Sequence, residues 1–235
     1  MINATQLKGL AREAGADLCG IAPVQRFSGA PEGFRPSDIF PDAKSVVVVA
    51  RRLPGGVFFS PNPVPYTFAC DAAVQTVSGL ISNLAVRLED HGVTAVPVPS
   101  EPYVYWDEER REGKGILSLK HAGRLAGLGT MGKNTLLTND VFGNRITLGA
   151  LLLDADLEGD AVGDFDLGCD ECGACIDSCP SGALDGVCAD QKRCRGASVT
   201  VTKKGYTLYT CRACRSVCPK GTGGLRRPAA DPRDQ

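Results

Sequence analysis

Residues 169–180 read Cys-Asp-Glu-Cys-Gly-Ala-Cys-Ile-Asp-Ser-Cys-Pro, a C-x2-C-x2-C-x3-C-P run. Three thiolates at this spacing on a short loop can wrap one corner of an iron–sulfur cube, while the fourth, on the following turn, points away to a second cube. Gly173 and Ala174 keep the loop small, and Pro180 redirects the chain after the last ligand. Zinc suits the run poorly, because tetrahedral zinc typically uses separated C-x2-C pairs and has no use for a third cysteine so placed.

A second motif, Cys211-Arg-Ala-Cys214-Arg-Ser-Val-Cys218-Pro219, has only three cysteines. A cube takes four thiolates, so one ligand comes from upstream, and spacing alone leaves Cys188 and Cys194 both open. In the crosswise pattern of two-cluster ferredoxins, Cys169, Cys172 and Cys175 join Cys218 on one cluster. Cys179, Cys211 and Cys214 then hold the other, completed by Cys194 or Cys188. Nine of the eleven cysteines lie between Cys169 and Cys218, so one of them is spare. Cys19 and Cys70, alone in the first 168 residues, sit in apolar contexts and read as small buried hydrophobes.

The rest of the chain must position these thiols. It has 235 residues, 43% hydrophobic and 23% charged, as in an ordinary soluble globular protein. A net charge of −1 and 6% aromatic residues provide neither the basic surface nor the stacking platform of a nucleic-acid binder. The longest apolar stretches, 46–50 and 149–153, are strand-sized, so no membrane span is expected. The N-terminus lacks the pattern of a signal peptide, which points to a reducing, cytoplasmic setting and to metal ligation rather than disulfides.

Periodicity predicts a helix over 4–14, strands at 17–22 and 45–51 (the second buried on both faces), and a long helix over 67–90 ending at His91-Gly92. A strand at 93–98, a helix near 116–126 and a strand at 145–153 follow. The strands do not alternate evenly with helices, so the expected class is α+β. The shift in cysteine content divides the chain into a domain at 1–163, a two-cluster ferredoxin-like module at 164–222 and a flexible tail at 223–235. Residues 159–164 are the natural linker.

Between the last two predicted elements lies Ala126-Gly-Leu-Gly-Thr-Met-Gly-Lys-Asn134. Gly127, Gly129 and Gly132 allow a backbone to approach a ligand closely, and Lys133 and Asn134 add a cation and an amide. Such a turn suits a phosphate or the carboxamide rim of a corrinoid, and equally a plain packing turn. It is not a Walker A loop, since Lys133 is followed by Asn134.

The Ala-Gly-Leu-Gly-x-x-Gly-Lys-x-x-Leu-Leu core at 126–137, the Leu-Gly-x-Leu-Leu strand after it and the two cysteine motifs together resemble epoxyqueuosine reductase and its relatives. More weakly, so do the 14–22 and 41–48 stretches. That resemblance, which extends to reductive dehalogenases, implies a nitroreductase-like fold holding cobalamin, fed by two [4Fe–4S] clusters. It also implies that Lys192-Arg193-Cys194 supplies the fourth ligand of the second cluster, leaving Cys188 spare. Two departures matter. Gly113-Lys114-Gly115 stands where the family carries an acidic residue and a Ser-Ala-Pro run, and the chain stops short of a C-terminal repeat domain. The expected role is therefore not reduction of a queuosine precursor in tRNA, but delivery of electrons from a ferredoxin- or flavodoxin-type donor, through the clusters, to a corrinoid acting on a small molecule.

Two rivals share these residues: a ferredoxin-type carrier without an organic cofactor, and a reductase holding FMN on the same scaffold. Tyr103, Tyr105 and Glu112, in a stretch joining aromatics to acids, are the proton-donor candidates. His121 reads as a solvated helix residue rather than an axial ligand, in keeping with the family's histidine-free binding of the corrinoid. Lys203, Lys204, Arg212, Arg215 and Lys220 could steer an acidic donor or form a solvated face.

Overall fold

The computed structural model describes residues 2–101, 105–109, 111–162 and 169–221. Helix α1 (Ala4–Glu13) opens on a capping box, in which Gln6 N–H donates to Asn3 Oδ1 at 2.9 Å and Asn3 N–H donates to Gln6 Oε1 at 3.0 Å. Strand β1 (Leu18–Pro23), the short α2 (Pro36–Ile39) and strand β2 (Ser45–Arg52) follow. Helix α3 (Pro63–Glu89) begins earlier than the apolar spacing predicts, because Asn62 Oδ1 accepts Val64 N–H at 2.9 Å and Pro63 takes the first helical position. It stops just before Gly92, whose φ of 70° permits the left-handed exit.

Strand β3 (Ala95–Val98), the hairpin of β4 (Tyr105–Asp107) and β5 (Glu112–Lys114), and α4 (Leu119–Leu125) lead to a second hairpin, β6 (Thr130–Met131) and β7 (Leu137–Thr138). Strand β8 (Ile146–Leu153) closes the first part. The cysteine-rich part holds α5 (Ala174–Asp177), α6 (Gln191–Ser198), β9 (Val199–Val201), β10 (Thr207–Tyr209) and α7 (Ala213–Ser216).

The main sheet runs β1-β2-β8-β3, with every neighbouring pair antiparallel. Val47, Val49, Leu151 and Leu153 face α1 and α3, meeting Leu7, Val77, Ile81, Leu84 and Leu88. Val46, Val48, Ala150 and Leu152 face the other way, onto Ala122, Ala126, Leu128 and Leu137. Both faces are covered, which is why residues 46–50 show no polar alternation; all five are fully buried. A valine buried in this way stabilises the fold by about 1.5–3 kcal/mol. A Cβ at Gly149 would stand 2.5 Å from Val77 Cγ1, so glycine sets how closely α3 lies on the sheet.

Strand β1 is an edge, and residue 160 covers it. Asp160 N–H donates to Ile21 O at 2.9 Å, and its carboxylate accepts Ile21 N–H at 2.8 Å and pairs with Lys8. Its carbonyl accepts from Arg26 Nη1 at 2.6 Å. The first residues of the expected linker are thus anchored to the sheet, while 163–168 and the expected tail lie outside the described residues. No described helix is long and apolar enough to cross a membrane.

The cysteine-rich part docks on the N-terminal end of α3. Leu53, Phe58, Tyr66 and Ala73 form a separate apolar cluster, against which Cys70 and Tyr209 pack. Tyr209 N–H donates to Thr67 Oγ1 at 2.9 Å, and Arg212 donates to Ser60 O.

Candidate metal centre

Cys169, Cys172, Cys175 and Cys218 line one pocket, together with Gly132, Lys133, Asn134, Thr138, Asp170, Gly173 and Lys220. Gly173, at φ 75°, turns the chain into α5, and its carbonyl accepts Ile176 N–H at 2.8 Å. That turn seats Cys175 in the pocket wall, where it is 8% exposed. Cys218 arrives from the other end of the module, just after α7. The wall therefore joins the first three cysteines of one motif to the last of the other. Among the described residues no three of His, Cys, Asp and Glu converge on a single-ion site.

Burial raises the Cys175 thiol; its own and the Ile176 backbone N–H groups oppose that, and neighbouring Cys169 and Cys172 add to it. Burial likewise raises Cys218, opposed by the Lys220 and Gly221 N–H groups and reinforced by Cys169 and Cys175. At Cys179 burial also raises the thiol, but hydrogen bonds from Ser181 and from backbone amides, including Ala183 N–H at 3.3 Å, outweigh it and bring it below the ordinary value. Backbone donors thus already point at three of these sulfurs, as a bound thiolate requires.

Cys214 is pushed up to about 11 by burial, with Arg215 opposing and Cys194, Cys211 and Cys175 adding to the rise. Cys194 and Cys211 therefore share its surroundings, and Cys175 connects them to the first pocket. Cys194 rides on α6, whose N-cap Asp190 accepts Arg193 N–H at 2.9 Å. Cys188 has other company: it is exposed, its Sγ lies 3.2 Å from Asp185 Oδ2, and that carboxylate raises its thiol.

The glycine-rich turn resolves into a helix exit and a hairpin. Leu128 N–H donates to Gly123 O at 2.8 Å, with Gly127 in the left-handed region at φ 74°. A Cβ on Gly127 would strike the carbonyl of Ala161, and one on Gly129 that of Thr138. The backbone these glycines approach is the protein's own. Gly132, Lys133 and Asn134 form the hairpin tip and face the cysteine pocket, and Asn134 Nδ2 donates to Cys214 O at 3.3 Å.

Of the proton-donor candidates, Tyr103 lies outside the described residues. Tyr105 is exposed on β4, 3.4 Å from Asp107 Oδ2 through its hydroxyl, and Glu112 is half-buried on β5. Their hairpin is clipped to the module: Gly113 N–H donates to Gln191 Oε1 at 3.0 Å, and Arg195 lies 5.1 Å over the Trp106 ring. His121 Nδ1 bonds Ser118 Oγ at 2.7 Å, and burial lowers its pKa, aided by Lys120 and Arg124. Among the basic residues, Lys203 and Lys204 are exposed. Arg212 and Arg215 instead bind the carbonyls of Ser60 and Asn144, and Lys220 lines the pocket.

One contact was not foreseen. Gly143, at φ 60°, sits where a Cβ would strike the carbonyls of Lys220 and Gly221, and Asn144 N–H donates to Gly221 O at 3.1 Å. The Gly-Asn pair ahead of β8 is the only sequence signal of this contact.

A family model for a 4Fe-4S binding domain matches residues 169–183 and 209–222. An epoxyqueuosine reductase of Bacillus anthracis is 34% identical over 120 residues, covering 46% of this chain and 31% of that protein. The match thus spans about a third of the length of this curated relative. The structure of epoxyqueuosine reductase from Streptococcus thermophilus superposes with a TM-score of 0.66 at 20% identity, covering 96% of this chain and 68% of that one. An epoxyqueuosine reductase solved with an epoxyqueuosine-modified tRNA-Tyr stem loop gives 0.64 at 19% identity, over 95% of this chain and 66% of that one. A reductive dehalogenase whose structure suggested a mechanism for B12-dependent dehalogenation gives 0.59 at 18%, over 92% and 29%. The chain is thus similar to epoxyqueuosine reductases over about half its length, shares its fold with those enzymes and with the reductive dehalogenases, and carries a 4Fe-4S binding domain.

Proposed function

We propose that this chain is an iron–sulfur oxidoreductase that holds two [4Fe–4S] clusters and passes electrons from a ferredoxin- or flavodoxin-type donor to a bound corrinoid acting on a small molecule. The observation that carries this reading is the gathering of Cys169, Cys172, Cys175 and Cys218 around one pocket. That donor set, with backbone N–H groups already at Cys175 and Cys218, fits one cube. Cys179, Cys194, Cys211 and Cys214 supply the second, and the shared surroundings of Cys194, Cys211 and Cys214 support that set.

The corrinoid rests on other ground: the likeness to a B12-dependent dehalogenase and a nitroreductase-like reading of the first domain. Bound cobalamin would supply a redox-active, nucleophilic metal. The glycine turn does not fit its rim. Gly127 and Gly129 are filled by the protein's own backbone, and Gly132, Lys133 and Asn134 belong to the cysteine pocket. This inward packing favours the second reading, a ferredoxin-type carrier without an organic cofactor. The substrate is taken as a small molecule because Gly113-Lys114-Gly115, with Gly113 held by Gln191, stands where the resembled family carries its acidic residue.

Metal analysis and the absorption spectrum of protein purified without oxygen test this. About eight iron atoms per chain are expected. About four, or zinc in their place, overturns the two-cube reading. About one cobalt per chain after supply of cobalamin supports the corrinoid; full iron with neither cobalamin nor flavin bound leaves the carrier.

A further inference from the structure

Asn144 is 1% exposed, yet neither its Nδ2 nor its Oδ1 has a hydrogen-bond partner among the described residues. A buried amide left in this state is costly, and native proteins rarely leave one unmatched. Its backbone is fully engaged: the N–H donates to Gly221 O at 3.1 Å, and the carbonyl accepts from Arg215 Nη1. The first bond fixes residue 144 to the turn that follows Cys218, and the second fixes it to α7 just before that cysteine. Gly221 records how close the side chain comes to that cysteine. A Cβ placed there would meet Cys218 Cβ at 2.8 Å and Asn144 Nδ2 at 2.9 Å. The orphaned amide and the pocket cysteine thus press on the same side of one glycine.

We infer that Asn144 donates its side-chain N–H to a sulfur of the cluster held by Cys169, Cys172, Cys175 and Cys218, either the Cys218 thiolate or an adjacent sulfide. This rests on the two-cluster reading above. Sulfur in such a cluster carries negative charge and accepts hydrogen bonds, and the amide has no other acceptor within the described residues. The NH2 end is the only end of the amide a cluster sulfur can satisfy, whichever way the amide is turned. A donor at sulfur favours the reduced cluster, which carries one more negative charge, and so raises its potential. Asn144 is a positioning and tuning residue, not an iron ligand. Gly143, which can hold φ 60° without strain, lets the loop come this near.

The test is a reductive titration of the iron-loaded protein followed by electron paramagnetic resonance, on wild type, Asn144→Ala and Asn144→Asp. The aspartate keeps the side chain's volume, removes the donor and guards against a packing effect of the alanine. With about eight irons retained, one of the two one-electron steps should shift toward the oxidised form by about tenfold or more, about 59 mV for one electron. The other step should stay in place. Two unmoved steps in both variants overturn the inference and leave the two-cube reading intact. Loss of the first cluster from both variants also overturns it, because a bond to an already ligated sulfur tunes a potential and does not hold iron. Wild-type protein with about four irons would overturn the two-cube reading instead.

Discussion

Tyr209 donates its backbone N–H to the hydroxyl of Thr67 at 2.9 Å, and Thr67 in turn donates to Pro63 O at 3.0 Å inside the first turns of α3. One side chain thus ties the β9–β10 hairpin to α3, the longest of the described helices. Replacing Thr67 with Val keeps the shape and removes the acceptor, leaving the Tyr209 N–H unmatched. The expected cost is about 1–3 kcal/mol, read as a lower denaturant midpoint and a faster loss of iron to a chelator.

Asp160→Ala removes the carboxylate from Ile21 N–H and from Lys8, and uncovers the edge of β1. A loss of about 1–3 kcal/mol in unfolding free energy is expected. Light scattering near the unfolding midpoint should also show stronger self-association, since a bared strand edge is a template for pairing.

Cys194→Ser should cost the second cluster, whereas Cys188→Ser should leave the iron count unchanged. The reason is placement: Cys194 shares the surroundings of Cys214, while Cys188 lies against Asp185 on the surface. Iron analysis of the two variants decides the point, and the opposite result reassigns the ligand.

Cys19 is pushed up to about 12, mainly by burial, with Lys8 and Arg12 opposing and Asp160 adding to the rise. The native state keeps this proton where the unfolded chain, with an ordinary thiol near 9.0, releases it. More protons are bound in the native state over that interval. The stabilisation is therefore complete below about pH 9 and is lost as pH rises toward 12. Unfolding midpoints measured through this range should fall less steeply for Cys19→Ala than for wild type; parallel curves would assign the fall to other groups.

Much of this was legible beforehand because the signals were local. An unbroken apolar run at 46–50 can only be a strand covered on both faces, and the cysteine spacing describes a loop around a cube. The start of α3 was missed because Asn62 and Pro63, not apolar spacing, determine it. The two- and three-residue strands of the small hairpins follow from tertiary partners such as Gln191 and leave no periodic trace. The glycine turn shows the limit most clearly. Glycine reports that something comes close to the backbone, but not whether that neighbour is a ligand or, as at Gly127 and Gly129, the chain itself. Arg212 and Arg215 read as surface charge for the same reason, since only the fold reveals the carbonyls they reach.

The pocket wall drawn from 169–175 and 218 also bears on how the protein is made. During synthesis the first three thiols emerge well before the fourth, so a nascent chain shorter than 218 offers a half-built cradle. Iron delivered at that stage would meet an open, oxidisable site. Under the proposed two-cluster reading, closure of this pocket and its metallation must both await synthesis of residue 218.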